Sequence, residues 1–168
     1  MSAKKILFYI VAGIAIIITV LLVDAVTDNV RSVAGGLVAT RNDAEQTSLM
    51  NCPGSPNCVS SYPESGYADL SPWEYGEHSR NQARDALLNT LDELPRTEIQ
   101  TVQDNYIHAV HRSELFRFRD DLEFHLPADE NHIDFRAASR VGTSDLGVHE
   151  ERMTRLREVF SHYLANSP

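Results

Sequence analysis

No charge interrupts the chain between Ile6 and Val23 (ILFYIVAGIAIIITVLLV). Such a run is apolar on every face of a helix, which separates it from the one-sided stripe of a helix lying on a soluble core. At 1.5 Å per residue its 18 residues span about 27 Å, enough to cross a thin hydrocarbon layer. Beyond it the pattern changes period. From Ser79, whose spacing to Gln82 makes a capping box, Ala83, Ala86, Leu87, Thr90, Leu91 and Leu94 fall on one helical stripe that Pro95 ends. A second stripe, with Met153, Leu156, Val159, Phe160, Tyr163 and Leu164, predicts a helix from about His149 to Ala165, with Glu150 and Glu151 favourably placed in its first turn.

Between the two helices the period is two. Thr97 to Val141 reads as strands, with a turn at Gln103-Asp104-Asn105 leading into the run Tyr106 to Arg112. Phe116, Phe118, Leu122, Phe124 and Leu126 share one parity, and Arg117, Arg119, Asp121, Glu123 and His125 share the other. Asp120 breaks the apolar row and predicts a bend or bulge. After Pro127 to His132, the residues Ile133, Phe135, Ala137, Ser139 and Val141 oppose Asp134, Arg136, Ala138 and Arg140. Pairing Leu126 with Ile133 sets Phe124 against Phe135, His125 against Asp134 and Glu123 against Arg136. Apolar and charge matching agree in that register, and a slip of one residue destroys both. The expected fold is α+β: a four-stranded antiparallel meander with two helices packed on one face, its charged face outward, and an N-terminal transmembrane helix. The chain has no internal repeat.

The expected organisation is a cytoplasmic N-terminus at residues 1–5, an anchor at 6–26, a linker at 27–48 and a domain at 49–168. Lys4 and Lys5 precede the apolar run and Asp24 and Asp28 follow it, so the positive-inside bias places the domain on the extracytoplasmic side, in the periplasm or an equivalent lumen. A cleaved signal peptide is the rival reading; its apolar region would be unusually long, and Ser32-Val33-Ala34 is a late and poor cleavage site. Net charge is −9, and Lys4 and Lys5 are the only lysines, so 13 arginines face 24 acids in everything after Val23. That balance disfavours nucleic acid and leaves as expected partners the bilayer, through residues 6–26, and a protein of a membrane complex.

The only cysteines, Cys52 and Cys58, flank Pro-Gly-Ser-Pro-Asn, a loop by composition. In an oxidising compartment a structural disulfide is the simplest reading. A redox pair ordinarily has two intervening residues, and a zinc site would want four ligands. Among the seven histidines there is no metal-ligand spacing, and His108 and His111, three apart on a strand, point to opposite faces. Neither a metal nor a cofactor is expected.

Three separated stretches, Pro56-Asn57-Cys58-Val59-Ser60-Ser61, Asp121-Leu122-Glu123-Phe124 and Ser139-Arg140-Val141-Gly142-Thr143-Ser144-Asp145-Leu146-Gly147-Val148, resemble the family catalogued as domain of unknown function 1499. The likeness runs from about Leu49 to Leu164. It implies a bacterial or plastid domain, commonly a lipoprotein or membrane-tethered, and carries no activity with it. The matching positions are Asn57, Cys58, Ser60, Asp121, Glu123, Ser139, Arg140, Gly142, Ser144, Asp145 and Gly147. One departure stands out: the family usually has Asn where this chain has His149, and a basic residue where it has Glu150.

Candidate binding residues are Asn57, Arg136, Arg140, Ser144 and Asp145. Backbone N–H groups at the strand-to-helix junction, with Arg140, could hold a carboxylate or phosphate. The plainer alternative has Ser144 or Asp145 capping the turn, with Arg140 paired to it. The charged face could likewise be a docking or acid–base surface, or a solvated ladder of cross-strand ion pairs, the commoner case. No catalytic constellation is evident. The leading expectation is a non-catalytic, membrane-tethered binding or accessory module, and the alternative an enzyme or small-anion binder at Arg140 and Asp145.

Overall fold

A computed structural model describes residues 2–29, 37–40, 43–53, 55–62, 70–115 and 117–167, and for 23–29, 37–40 and 43–47 it describes the backbone only. The apolar run forms α1, Ala3–Asn29. Its segment Ala3–Leu22, mean hydropathy 2.6, is long and apolar enough to cross a membrane, and among the described residues none of it is buried. Within the stretch expected as a linker, Leu37–Thr40 (β1) and Asp43–Leu49 (β2) pair as an antiparallel hairpin.

The remaining strands make one antiparallel sheet: Cys58–Ser60 (β3), Trp73–Glu74 (β4), Thr97–Val102 (β5), Tyr106–Arg112 (β6), Arg119–His125 (β7) and His132–Ser139 (β8). The expected meander is present as the neighbours β5, β6, β7 and β8, but the sheet is larger than four strands. β3 and β4 lie in tandem along the free edge of β8, pairing with residues 136–138 and 132–133. Strands of three and two residues are too short to show alternation, so the pattern alone does not reveal them.

The β7–β8 register is the one that the two matching rules select, with Glu123 opposite Arg136, Phe124 opposite Phe135 and His125 opposite Asp134. The bulge expected at Asp120 is not there. Asp120 stays in phase with His111 on one side and Ser139 on the other, and the register shift falls instead between Ile99 and Thr101. The apolar row also starts later than expected. Arg117 has a left-handed backbone (φ 55°), Phe118 is partly exposed, and Phe116 lies outside the described residues.

Helix α2, Arg80–Asp92, begins at the capping box: Ser79 Oγ accepts from the Gln82 N–H while the Gln82 side chain accepts from the Ser79 N–H. Helix α3 spans Val148–Ala165. Their stripes close over Ile107, Ala109, Leu122, Phe124, Ile133, Phe135 and Ala137 on one sheet face. Trp73 plugs the sheet edge, its ring 5.4–5.6 Å from those of Phe124, Phe135 and Phe160.

The opposite face is not the solvated surface its composition suggests. Arg119, Asp121, Glu123, His125, Asp134 and Arg136 are all buried, Asp121 and Glu123 completely. β2 lies against β7 and β8, Leu49 is buried, and its N–H bonds to the Tyr62 hydroxyl. The N-terminal hairpin thus helps cover a charged sheet face that period-two reasoning assigns to water.

Candidate functional site

Burying a carboxylate is costly unless opposite charge and hydrogen bonds answer it. On the covered face the answers come mostly from neighbouring strands. Asp121 accepts two bonds from the Arg140 guanidinium, at 3.0 and 2.9 Å, and lies 2.7 Å from His108 Nε2. Glu123 accepts from Arg136 at 2.7 Å and from the Tyr106 hydroxyl at 2.8 Å. Asp134 accepts from Ser61 and Tyr62 and stands 3.3 Å from His132 Nε2. Burial, followed by the Asp134 charge, pushes the Tyr62 phenol upward and keeps it a neutral donor. Burial likewise lowers His125, against the pull of Asp134.

The junction after β8 is held from a distance. Asn57 Nδ2 donates to the Gly142 carbonyl at 2.8 Å, and the Asn57 carbonyl accepts from the Ser139 N–H. Gly142 and Gly147 adopt φ of 91° and 84°, a region that side chains disfavour. Asp145 caps α3, taking the Gly147 and His149 N–H groups on its two oxygens. Ser144 is exposed, with a long 3.4 Å contact from the Leu146 N–H. The five candidate binding residues therefore do not converge on one open site. Arg136 and Arg140 are committed to Glu123 and Asp121, and Asn57 and Asp145 to backbone. Cys52 and Cys58 form the disulfide, which closes the loop that presents Asn57.

On the core face, at the end where α3 begins, sits a polar cluster that the sequence reading did not assemble. Arg152 Nη1 donates to Asp120 Oδ2 at 2.8 Å and lies 3.2 Å from His149 Nδ1. Ser139 Oγ donates to Asp120 Oδ1 at 2.7 Å and is 3.0 Å from His149 Nε2. Burial lowers the His149 pKa, so the neutral ring carries one proton. Arginine can only donate, so Nδ1 accepts and the proton is on Nε2, pointing at Ser139. Serine, histidine and aspartate are together, yet the carboxylate orients the serine and the imidazole has no lone pair left for the hydroxyl. A nucleophilic triad requires the reverse order.

Arg152 also lines a cleft of about 420 Å³ between the C-terminal end of α2 and the first half of α3. Arg96, His111 and Arg155 share its wall with Leu94, Val148, Leu156 and Val159. His111 Nδ1 bonds to Thr97 Oγ1 at 2.9 Å. Its pKa falls to about 4, chiefly through burial and then through the Arg152 charge. A signal for this end of the molecule does exist in the chain. Asp120 interrupts the apolar row of β7 and Arg152 the apolar stripe of α3, opposite charges on two surfaces that must pack together.

Among the described residues no three potential ligands gather as a metal site. Residues 48–160 match the model of the family described as protein of unknown function (DUF1499), and the chain belongs to that family. No curated protein matches it.

Proposed function

We propose, for this member of the family, a membrane-tethered domain on the extracytoplasmic side, working without catalysis as a binding or accessory module of a membrane-associated assembly. The observation that supports this reading is the wiring of the ionisable groups. Asp120, Asp121 and Glu123 are each buried against an arginine. The Ser139 hydroxyl is turned to a carboxylate and the His149 ring is neutral and saturated. Groups so engaged stabilise a fold; none is poised to exchange protons with a substrate. The apolar helix supplies a tether, with the bilayer as its partner, and Cys52–Cys58 suits an oxidising lumen. A surplus of acids beyond Val23 argues against nucleic acid as a partner.

Affinity capture of the full chain from native membranes in mild detergent tests the reading. It should recover a protein partner in stoichiometric amount. Repeated recovery of the bare chain would overturn it.

A further inference from the structure

Two buried side chains supply the starting point. Arg152 is about nine-tenths buried and uses only Nη1, for Asp120 and His149. Among the described residues its Nε and Nη2 make no hydrogen bond, and neither is sealed from solvent. His111 is 6% exposed, bonds through Nδ1 and leaves Nε2 open in the same way. Both side chains line the cleft, so its floor presents unused donors of a rigid, pre-positioned guanidinium. Donors already open to water in a cleft can be handed to an incoming acceptor without breaking a hydrogen bond inside the protein.

We propose that this cleft binds a small amphipathic monocarboxylate, its head on Arg152 and His111 and its chain along Leu94, Leu156 and Val159. The proposal rests on the binding-module reading and gives that module a ligand class. A planar carboxylate suits the fork of a guanidinium held at one nitrogen by Asp120. A doubly charged head does not suit it. Arg155 already pairs with Glu151, Arg96 lies 3.8 Å from Glu114, and Glu93 is bonded to the Tyr163 hydroxyl, so the walls hold little surplus positive charge. In the tautomer in which Nδ1 accepts from the Thr97 hydroxyl, the neutral His111 carries its proton on Nε2 and adds a hydrogen bond without adding charge. The apolar wall is built from Leu94, Pro95, Val148, Leu156 and Val159, and the volume is in the usual range for small-molecule pockets, roughly 300–1,000 Å³.

Calorimetry on the full chain in zwitterionic nanodiscs, with empty nanodiscs subtracted, tests this with acetate, butyrate, hexanoate, octanoate and the neutral hexanamide. Affinity should rise roughly three- to fourfold per added methylene, as burial of the tail requires. Hexanoate should bind at least about tenfold more tightly than hexanamide, because a charge-assisted bond exceeds a neutral one. Val148→Glu and Val159→Glu each put a carboxylate into the cleft and should weaken hexanoate at least about tenfold by like-charge repulsion. Val148 is half exposed, so its variant keeps the test valid should the Val159 variant fold poorly. Flat affinity along the series, equal binding of hexanamide, or unchanged binding by Val148→Glu would each overturn the proposal. Failure here would leave partner capture from membranes intact, and failed capture would leave this titration intact, so the two outcomes separate.

Discussion

Asp121 shows how a single side chain constrains the whole sheet. It is fully buried, and its oxygens are held by Nε and Nη2 of the Arg140 guanidinium and by His108. Removing Arg140 would take the guanidinium from that buried charge. Arg140→Ala should therefore cost about 3–5 kcal/mol, measured by urea unfolding, and Asp121→Asn in the same background should recover part of the loss. The pH dependence has a determined sign. His111 has a folded pKa of about 4 against an ordinary 6.5, so below 6.5 the unfolded chain binds the extra proton. Its contribution is fully present above 6.5 and is lost progressively as pH falls toward 4. His149 and His125, also lowered by burial, act in the same direction. His111→Gln should accordingly flatten the decline of the urea midpoint between pH 6.5 and 4.5; an identical slope in the variant would refute the assignment. Single residues were legible unevenly. The pairing of Glu123 with Arg136 is visible in the alternation, since strand register fixes it. The tie of Asp120 to Arg152 is not, since it joins a strand to a helix 32 residues further on.

At the scale of elements, the sequence carries a helix best where its ends are chemically marked. Ser79 and Gln82 specify the start of α2 through reciprocal bonds, and Ser79→Ala should cost about 1 kcal/mol in chemical denaturation. β7 and β8 were legible because two faces independently demand the same register. β3 was not: three residues cannot display a period, and it is placed by anchoring at its ends. Asn57 and the disulfide fix one end, and Ser61 bonds to the Phe135 backbone and to Asp134 at the other. The family motifs acquire a physical meaning here. The first grips the third through Asn57 and Gly142, and the second grips it through Asp121 and Arg140. Because the Cys52–Cys58 loop is short, chain entropy assigns the disulfide only about 2 kcal/mol, and Cys52→Ser/Cys58→Ser should lose that amount and still fold. Loss of folding altogether would mean that the loop directs β3 onto β8 rather than merely stapling it.

For the molecule as a whole, the question is which side of a membrane the sheet occupies, and charge and sulfur chemistry bear on it separately. Lys4 and Lys5 are the only positive side chains before the apolar run that starts at Ile6, and every acid lies beyond Val23. Insertion reads positive charge near the span and largely ignores acids, so the proposed orientation rests on these two lysines. A disulfide between Cys52 and Cys58 persists where glutathione does not reduce it, which suits the proposed extracytoplasmic side. The two considerations can be uncoupled. An export-dependent reporter fused after the last residue should be active in the native chain, and both thiols should resist alkylation until reductant is added. Lys4→Glu/Lys5→Glu should lower reporter activity, and the fraction of chains with free thiols should rise in proportion, because topology governs both. If the reporter stays active while the thiols become reactive, the bond answers to something other than location. If the native chain shows a cytosolic reporter, the helix does not deliver the domain across the membrane and the proposed setting is wrong.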